Sequence, residues 1–225
     1  MPNESGHSAP LSLRVRGRNA CFSRPEMKTE RVSYDVITPS AARGVLEAIL
    51  WKPQMRWIVE GIDVLAPIAR ETVRRNEVGH RASLANVRKV MGGGTAALGI
   101  DTVADRQQRA AILLKNVDYV IHARIDLTPR AGAGDSLQKY HEMFRRRAAA
   151  GQCFHRPYLG TREFAADFEP VDEATPAPIP ETRDLGWMLL DIDHAGPTPT
   201  PLFFEAKLEN GRMTVPRPDA PEVMR

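Results

Sequence analysis

Residues 109–127 read RAAILLKNVDYVIHARIDL, and in the second half apolar and polar side chains alternate. Tyr119, Ile121, Ala123, Ile125 and Leu127 fall on one face, with Val120, His122, Arg124 and Asp126 on the other. Period-two patterning predicts a β-strand with one buried face; on a helix the same residues would spread around the circumference. A chain with such a strand needs neighbouring strands for its backbone and a second layer over its apolar face.

The neighbours are legible. PLSLRVRGRNACF (10–22) alternates in the same way, with Leu11, Leu13 and Val15 against Ser12, Arg14 and Arg16. MRWIVEGIDVLAPI (55–68) predicts another strand. Two helices supply the covering layer. TPSAARGVLEAILWKP (38–53) offers Thr38 or Ser40 as a cap and Pro39 for the first turn. Val45, Leu46, Ile49 and Leu50 form its apolar stripe, and Pro53 stops it. SLQKYHEMFRRRAAA (136–150) turns Leu137, Phe144 and Ala148 inward and ends at Gly151. Between them, 69–107 reads as an insertion with one short helical stretch, ASLANVRKV (82–90), and the flexible MGGGTAALG.

The order strand, helix, strand, insertion, strand, helix predicts an α+β fold of the ferredoxin-like or RNA-recognition type. Residues 157–225 add a fourth strand and a small C-terminal antiparallel β appendage, with a hairpin turn at ENG (209–211) and a proline-rich loop at 173–182. The predicted division is 10–165 for the main domain and 166–225 for the appendage and tail. No run approaches the roughly 18 apolar residues of a membrane span. The N-terminus lacks the apolar core of a secretory signal. Two cysteines, Cys21 and Cys153, make no disulfide framework. These features predict a cytoplasmic protein without membrane contact.

Charge is divided along the chain. Residues 1–156 hold 25 Lys and Arg against 15 Asp and Glu, and residues 157–225 hold 6 against 13. A basic body with an acidic last third fits a polyanion bound to the first part, or simply a solvated basic surface balanced by its tail.

The cations concentrate in SLQKYHEMFRRRAAAGQCFHRPYLGTREF (136–164). Metal-free cleavage of RNA needs a base for the 2′-OH proton, an acid for the leaving 5′-oxygen and a cation for the phosphorane. Histidine suits the proton transfers near neutral pH, and lysine or arginine suits the charge. No paired carboxylates stand beside these residues, so no metal and no cofactor are expected. Lys139 and His141 diverge by about 200° on a regular helix. A second basic stretch, SRPEMKTERVSYDVI, interleaves Arg24, Lys28 and Arg31 with Tyr34, a pattern suited to phosphate contact and base stacking. An amphipathic helix with a solvated basic face and an ordinary surface loop are the plain alternatives. His122 reads as a surface or edge residue, and Cys153 as a small buried one.

RPEMKTERVSYDVITPSAARGVLEAILWKP (24–53), RNEVG (75–79), GGG (92–94) and GQCFHRPYLGTREF (151–164) resemble the CRISPR-associated Cas-five family, in the branch of the type I-C system. The resemblance runs from about Leu11 to Pro218. It implies an endoribonuclease that cuts CRISPR repeat hairpins in precursor RNA without metal and keeps the 5′ handle. It also implies contacts with the backbone and large subunits of an interference complex, and with target DNA through that complex. The family's site has a tyrosine just before Trp-Lys-Pro, where this chain has Leu50, and a Lys-His pair where it has Lys139-Tyr140-His141. The resemblance therefore assigns Lys139 to the phosphate and His141 to acid–base work, with Tyr140 assisting. A frayed first turn would swing His141 toward Lys139; alternatively, Tyr140 with its pKa lowered by Lys139 would replace the missing groups. The expected RNA face is Arg24, Lys28, Tyr34, Arg43, Arg145, Arg146, His155 and Arg156. A non-catalytic cap on the handle and a metal-dependent, nonspecific DNA-binding or DNA-cutting protein are the rival readings, followed by a scaffold that meets only proteins.

Overall fold

The alternating segment forms a strand of 22 residues, β5 (Arg106–Leu127), long enough to carry two partners on each edge. On one edge lie β3 (Met55–Val64) and then β4 (Ala69–Val78). On the other lie β1 (Leu11–Ala20) and then the two-residue β2 (Arg31–Val32). Asn116 takes φ 52° near the point where β3 gives way to β4. Asparagine tolerates that left-handed conformation better than most residues, because its short amide bonds locally. The computed structural model describes residues 8–27 and 29–225; residues 1–7 and Lys28, one of the expected RNA contacts, lie outside the described residues.

The main sheet runs β6-β1-β5-β3-β9, with β6 at Asp167–Pro170 and β9 at Arg212–Thr214. Every pair in that path is antiparallel. The expected mixture of a few helices with a mainly antiparallel sheet is what the chain adopts. Helix α1 (Pro39–Ile49) starts at Thr38, whose hydroxyl accepts the Ala41 N–H at 3.3 Å. Helix α3 (Leu137–Ala149) starts at Ser136 in the same manner, while the short α2 (Leu84–Met91) buries no residue.

The apolar faces meet in one core. Leu13 and Val15 of β1, Ile121 and Ile125 of β5, Leu46 and Ile49 of α1, and Tyr140 and Phe144 of α3 are all buried together. Burying a side chain of this kind contributes about 1.5–3 kcal/mol, so the alternation in β1 and β5 is itself the force that fixes which face the helices cover. The hairpin of β7 (Arg183–Asp193) and β8 (Thr200–Leu208) adds Met188, Leu190, Phe204 and Leu208 to the same core, and packs on α1. The ENG turn carries the chain from β8 to β9 with φ 48° at Asn210 and 79° at Gly211, the double left-handed step of a tight hairpin.

The opposite face of the sheet is polar and cross-linked. Arg14 holds Asp118 at 2.7 Å and Glu169 at 2.9 Å. His122 is tied to Ser12 at 2.9 Å and to Asp63 at 2.7 Å, so it is a bridging residue in the middle strand rather than an ordinary surface group.

Candidate functional site

Helix α3 is regular from its first turn. The Ser136 hydroxyl accepts the Lys139 N–H at 3.2 Å, and the Tyr140 N–H bonds the Ser136 carbonyl at 3.3 Å. With no frayed turn, successive side chains diverge by about 100°. Tyr140 turns into the core, its ring 2% exposed, and donates its hydroxyl hydrogen to Asp135. Burial and that bond to a carboxylate push the Tyr140 phenol up to about 12, and the same bond, with Lys139 and the Gly132 N–H, holds Asp135 below the usual carboxylate range.

Lys139 and His141 leave α3 on opposite flanks. The Lys139 ammonium folds back around the start of the helix and donates to the Gly134 carbonyl at 3.0 Å and to Asp135 at 3.4 Å. His141, half-buried, lines a cleft of about 530 Å³ together with Ser8, Leu127, Asp135, Ser136 and Gln138. Asp135 thus lines the cleft that His141 also lines, and the same carboxylate anchors the lysine. A second cleft continues along α3 past Arg145 and Arg146 and is bounded by Pro10–Ser12 and Pro170. His141 lines both.

The arginine run divides by direction. Arg145 is exposed and meets Glu142 at 3.4 Å. Arg146 lines the second cleft and makes no ion pair among the described residues. Arg147 points to the other flank and donates to the Ile49 carbonyl at 2.8 Å, closing the end of α1.

The segment after α3 lies along α1. The Phe154 N–H donates to the Ala48 carbonyl at 2.8 Å, and the Cys21 N–H to the Leu159 carbonyl at 3.1 Å. Gly160 has φ 83°, and a Cβ there would run into the Cys21 carbonyl, so only glycine lets the segment sit this close to the end of β1. Phe154 stands 88% exposed, beside an exposed His155. Arg156 pairs with Asp167, and Cys153 is half-buried.

Two residues expected at the RNA face are engaged elsewhere. Tyr34 is 1% exposed; its hydroxyl accepts the Leu189 N–H at 3.3 Å and the Arg24 guanidinium covers its ring at 4.4 Å, so no ring face is left for a base. Arg43 is held by Asp191, with a bond of 2.9 Å from Nη2, and by Glu47 at 3.5 Å, which fastens α1 to β7. Arg24 itself reaches the surface with Glu26 as a loose partner at 3.7 Å.

Residues 11–216 match the family described as CRISPR-associated protein (Cas_Cas5), in its Cas5d form. The chain belongs to the Cas5d family. A protein named CRISPR pre-crRNA endoribonuclease Cas5d from Mannheimia succiniciproducens is 50% identical over 223 residues, spanning 96% of this chain and 98% of that one. A protein of the same name from Thermus thermophilus is 42% identical over 238 residues, spanning 96% of both. Among solved structures, a crystal structure of a CRISPR-associated protein superposes with a TM-score of 0.69 at 22% identity, covering 97% of this chain and 98% of its own. A functionally uncharacterized protein from Streptococcus mutans, SMU1763c, superposes at 0.68 with 18% identity over 97% and 98%. At such identities these two likenesses establish the fold.

In this Cas5d member the residue before Trp51 is Leu50, wholly buried, its carbonyl accepting the Trp57 indole N–H at 2.9 Å. That position therefore supplies packing and no proton. Phe154 and Trp51, exposed aromatic side chains flanking the end of α1, were not among the residues expected from sequence. The signal for Phe154 was available in the quoted motif, because an apolar ring amid cations, in a segment with no apolar periodicity, has no core to enter; Trp51 follows directly on the apolar stripe of α1, which masks it.

Proposed function

We propose that this chain is a pre-crRNA endoribonuclease that cleaves CRISPR repeat RNA by attack of a 2′-OH, without metal, and retains the 5′ handle. The observation that carries the reading is the grouping of His141, Asp135 and the Lys139 ammonium around the start of α3. His141 takes the 2′-OH proton, the 2′-oxygen bonds to phosphorus, and the phosphorus–5′-oxygen bond breaks. The products are a 2′,3′-cyclic phosphate and a 5′-hydroxyl, the latter protonated by the imidazolium or by water. The Lys139 ammonium and the N–H groups of Leu137 and Gln138, at the open end of α3, meet the charge on the phosphorane. Tyr140 assists by holding Asp135, and so the lysine, in place. Its raised pKa suits it to donate a hydrogen bond and not to accept the 2′-OH proton.

Arg145 and Arg146 along the second cleft, Arg24 over Tyr34, and His155 and Arg156 in the segment beside α1 are assigned to the RNA backbone. Arg43 and Tyr34 support that surface from beneath. The frame is read as ferredoxin-like: β1-α1-β3 and β5-α3-β6 are two strand-helix-strand units, and their strands interleave as β6-β1-β5-β3. Residues 10–165 carry the cleavage site; 166–225 supply β6, the fourth strand of that frame, and then the β appendage that backs α1. We assign the working partners as the repeat RNA, the backbone and large subunits of a type I-C interference complex and, through it, target DNA. The setting is the cytoplasm. No helix among the described residues is long and apolar enough to cross a membrane.

Incubating the purified chain with its repeat RNA in excess EDTA tests this reading. Cleavage by the wild type that falls at least about 100-fold in His141→Ala is expected, the size of a lost general acid–base. Cleavage that stops in EDTA and returns with magnesium contradicts it.

A further inference from the structure

Three aromatic residues outside the cleavage site form a series. His155 lies 6.1 Å from Phe154, edge to face, and 6.3 Å from Tyr158, nearly parallel at 26°. The series runs along α1 from its last turn, where Phe154 bonds Ala48, toward its first. There Tyr158 borders a cleft of about 340 Å³ with Phe22, Ser23, Thr38, Ser40 and Gly44. Trp51, 56% exposed, emerges at the Phe154 end. The floor of the cleft is bare, since a Cβ on Gly44 would meet nothing within 4 Å.

Chemistry selects the occupant. From Gly151 to Arg162 the loop has Arg156, Arg162 and His155 and no acidic residue, and Lys52 follows Trp51. Lys52 and Arg162 make no ion pair among the described residues. Exposed rings beside cations, leading to a cleft with serine hydroxyls in its wall, match a chain of unpaired bases on a phosphate backbone: rings stack on the bases, cations meet the phosphates, and the Ser23 and Ser40 hydroxyls bond base edges. An A-form stem keeps its bases stacked inside and offers no free base face to such a surface.

We propose that the 151–162 loop and the outer face of α1 form a track for the single-stranded flank of the RNA. Phe154 is its stacking platform, and the cleft over Gly44 holds one splayed base. The proposal rests on the RNA-processing reading above and adds where the unpaired flank is held.

Two substitutions probe the track without straining the fold. Phe154→Ala removes an exposed ring. Gly44→Leu fills the cleft from a helical position where leucine is the better helix former. Both are compared with wild type, and with Phe154→Trp as rescue, for binding to repeat RNA carrying its single-stranded flanks and to the same hairpin trimmed of them. Melting temperatures are recorded alongside. The expected result is a loss of at least about 5-fold for the flanked RNA in Phe154→Ala and in Gly44→Leu, with no loss for the trimmed hairpin, recovery in Phe154→Trp and unchanged melting. Binding of flanked RNA at wild-type strength by both variants overturns the track, including the case in which they instead lose a protein subunit of the complex. If the wild type binds neither RNA, the RNA-processing reading falls as well, which a failed track alone would not produce.

Discussion

Tyr140 donates its hydroxyl hydrogen to Asp135, and Asp135 in turn holds the Lys139 ammonium at 3.4 Å. Three residues close in sequence are thus locked in a fixed order, phenol to carboxylate to ammonium, and the carboxylate lines the cleft shared with His141. The phenol is buried and the ammonium is half exposed, so the order runs from core to surface.

Tyr140→Phe removes the phenol and keeps the ring. It should lower stability by about 1 kcal/mol, the worth of one hydrogen bond, and leave cleavage within several-fold of wild type. The pH dependence follows from Asp135. Its carboxyl is held low, first by Tyr140, so its contribution is present above the unfolded carboxylate pKa of about 3.9 and is lost as pH falls through the folded value. Chemical denaturation of both proteins between pH 2 and 6 should show a shallower acid-side loss in Tyr140→Phe.

Arg146 and Arg147 are adjacent in sequence and differ in role. Arg146→Ala should weaken RNA binding and reduce the slope of log K against log salt by about 0.7–0.9, one phosphate contact. Arg147→Ala removes the bond to the Ile49 carbonyl and should lower melting temperature by a few degrees with that slope unchanged. Binding titrations from about 50 to 200 mM salt, with thermal melts, separate the two.

Arg43 ties α1 to Asp191 of β7, across the joint between the main sheet and the hairpin. The pair is partly exposed, so a double-mutant cycle of Arg43→Ala and Asp191→Ala should give a coupling of about 0.5–1 kcal/mol. RNA affinity should follow stability in this set and fall no further than the other single cation substitutions.

Tyr34→Phe tests the buried ring. The Leu189 N–H loses its acceptor, at a cost of about 1 kcal/mol, and affinity for single-stranded RNA should be unaltered because the ring offers no face to a base. Equilibrium unfolding and a binding assay on the same preparation check both.

The frame was legible wherever one face of an element is buried. β1, β5, α1 and α3 announce themselves because Leu13, Ile121, Leu46 and Phe144 recur at the period of their own backbone. β4 has no fully buried residue, so ARETVRRNEV shows no apolar alternation, and its ten residues read from sequence as part of an insertion. The site was legible in composition and less so in direction. The divergence of Lys139 and His141 follows from helix geometry alone. The return of the lysine to Asp135 depends on the loop before α3, and the removal of Tyr34 and Arg43 from the surface depends on the β7–β8 hairpin folding over α1. Contacts between segments about 150 residues apart leave no local pattern.

The most direct test of the account is cleavage, in excess EDTA, of the repeat RNA beside a copy with a single 2′-deoxy nucleotide at the cut. The account predicts that the first is cut, leaving a 2′,3′-cyclic phosphate and a 5′-hydroxyl, and that the second is bound with equal affinity and left whole. Cleavage of the deoxy copy, or a 5′-phosphate on the product, would contradict attack by the 2′-OH and with it the roles given to His141 and Lys139.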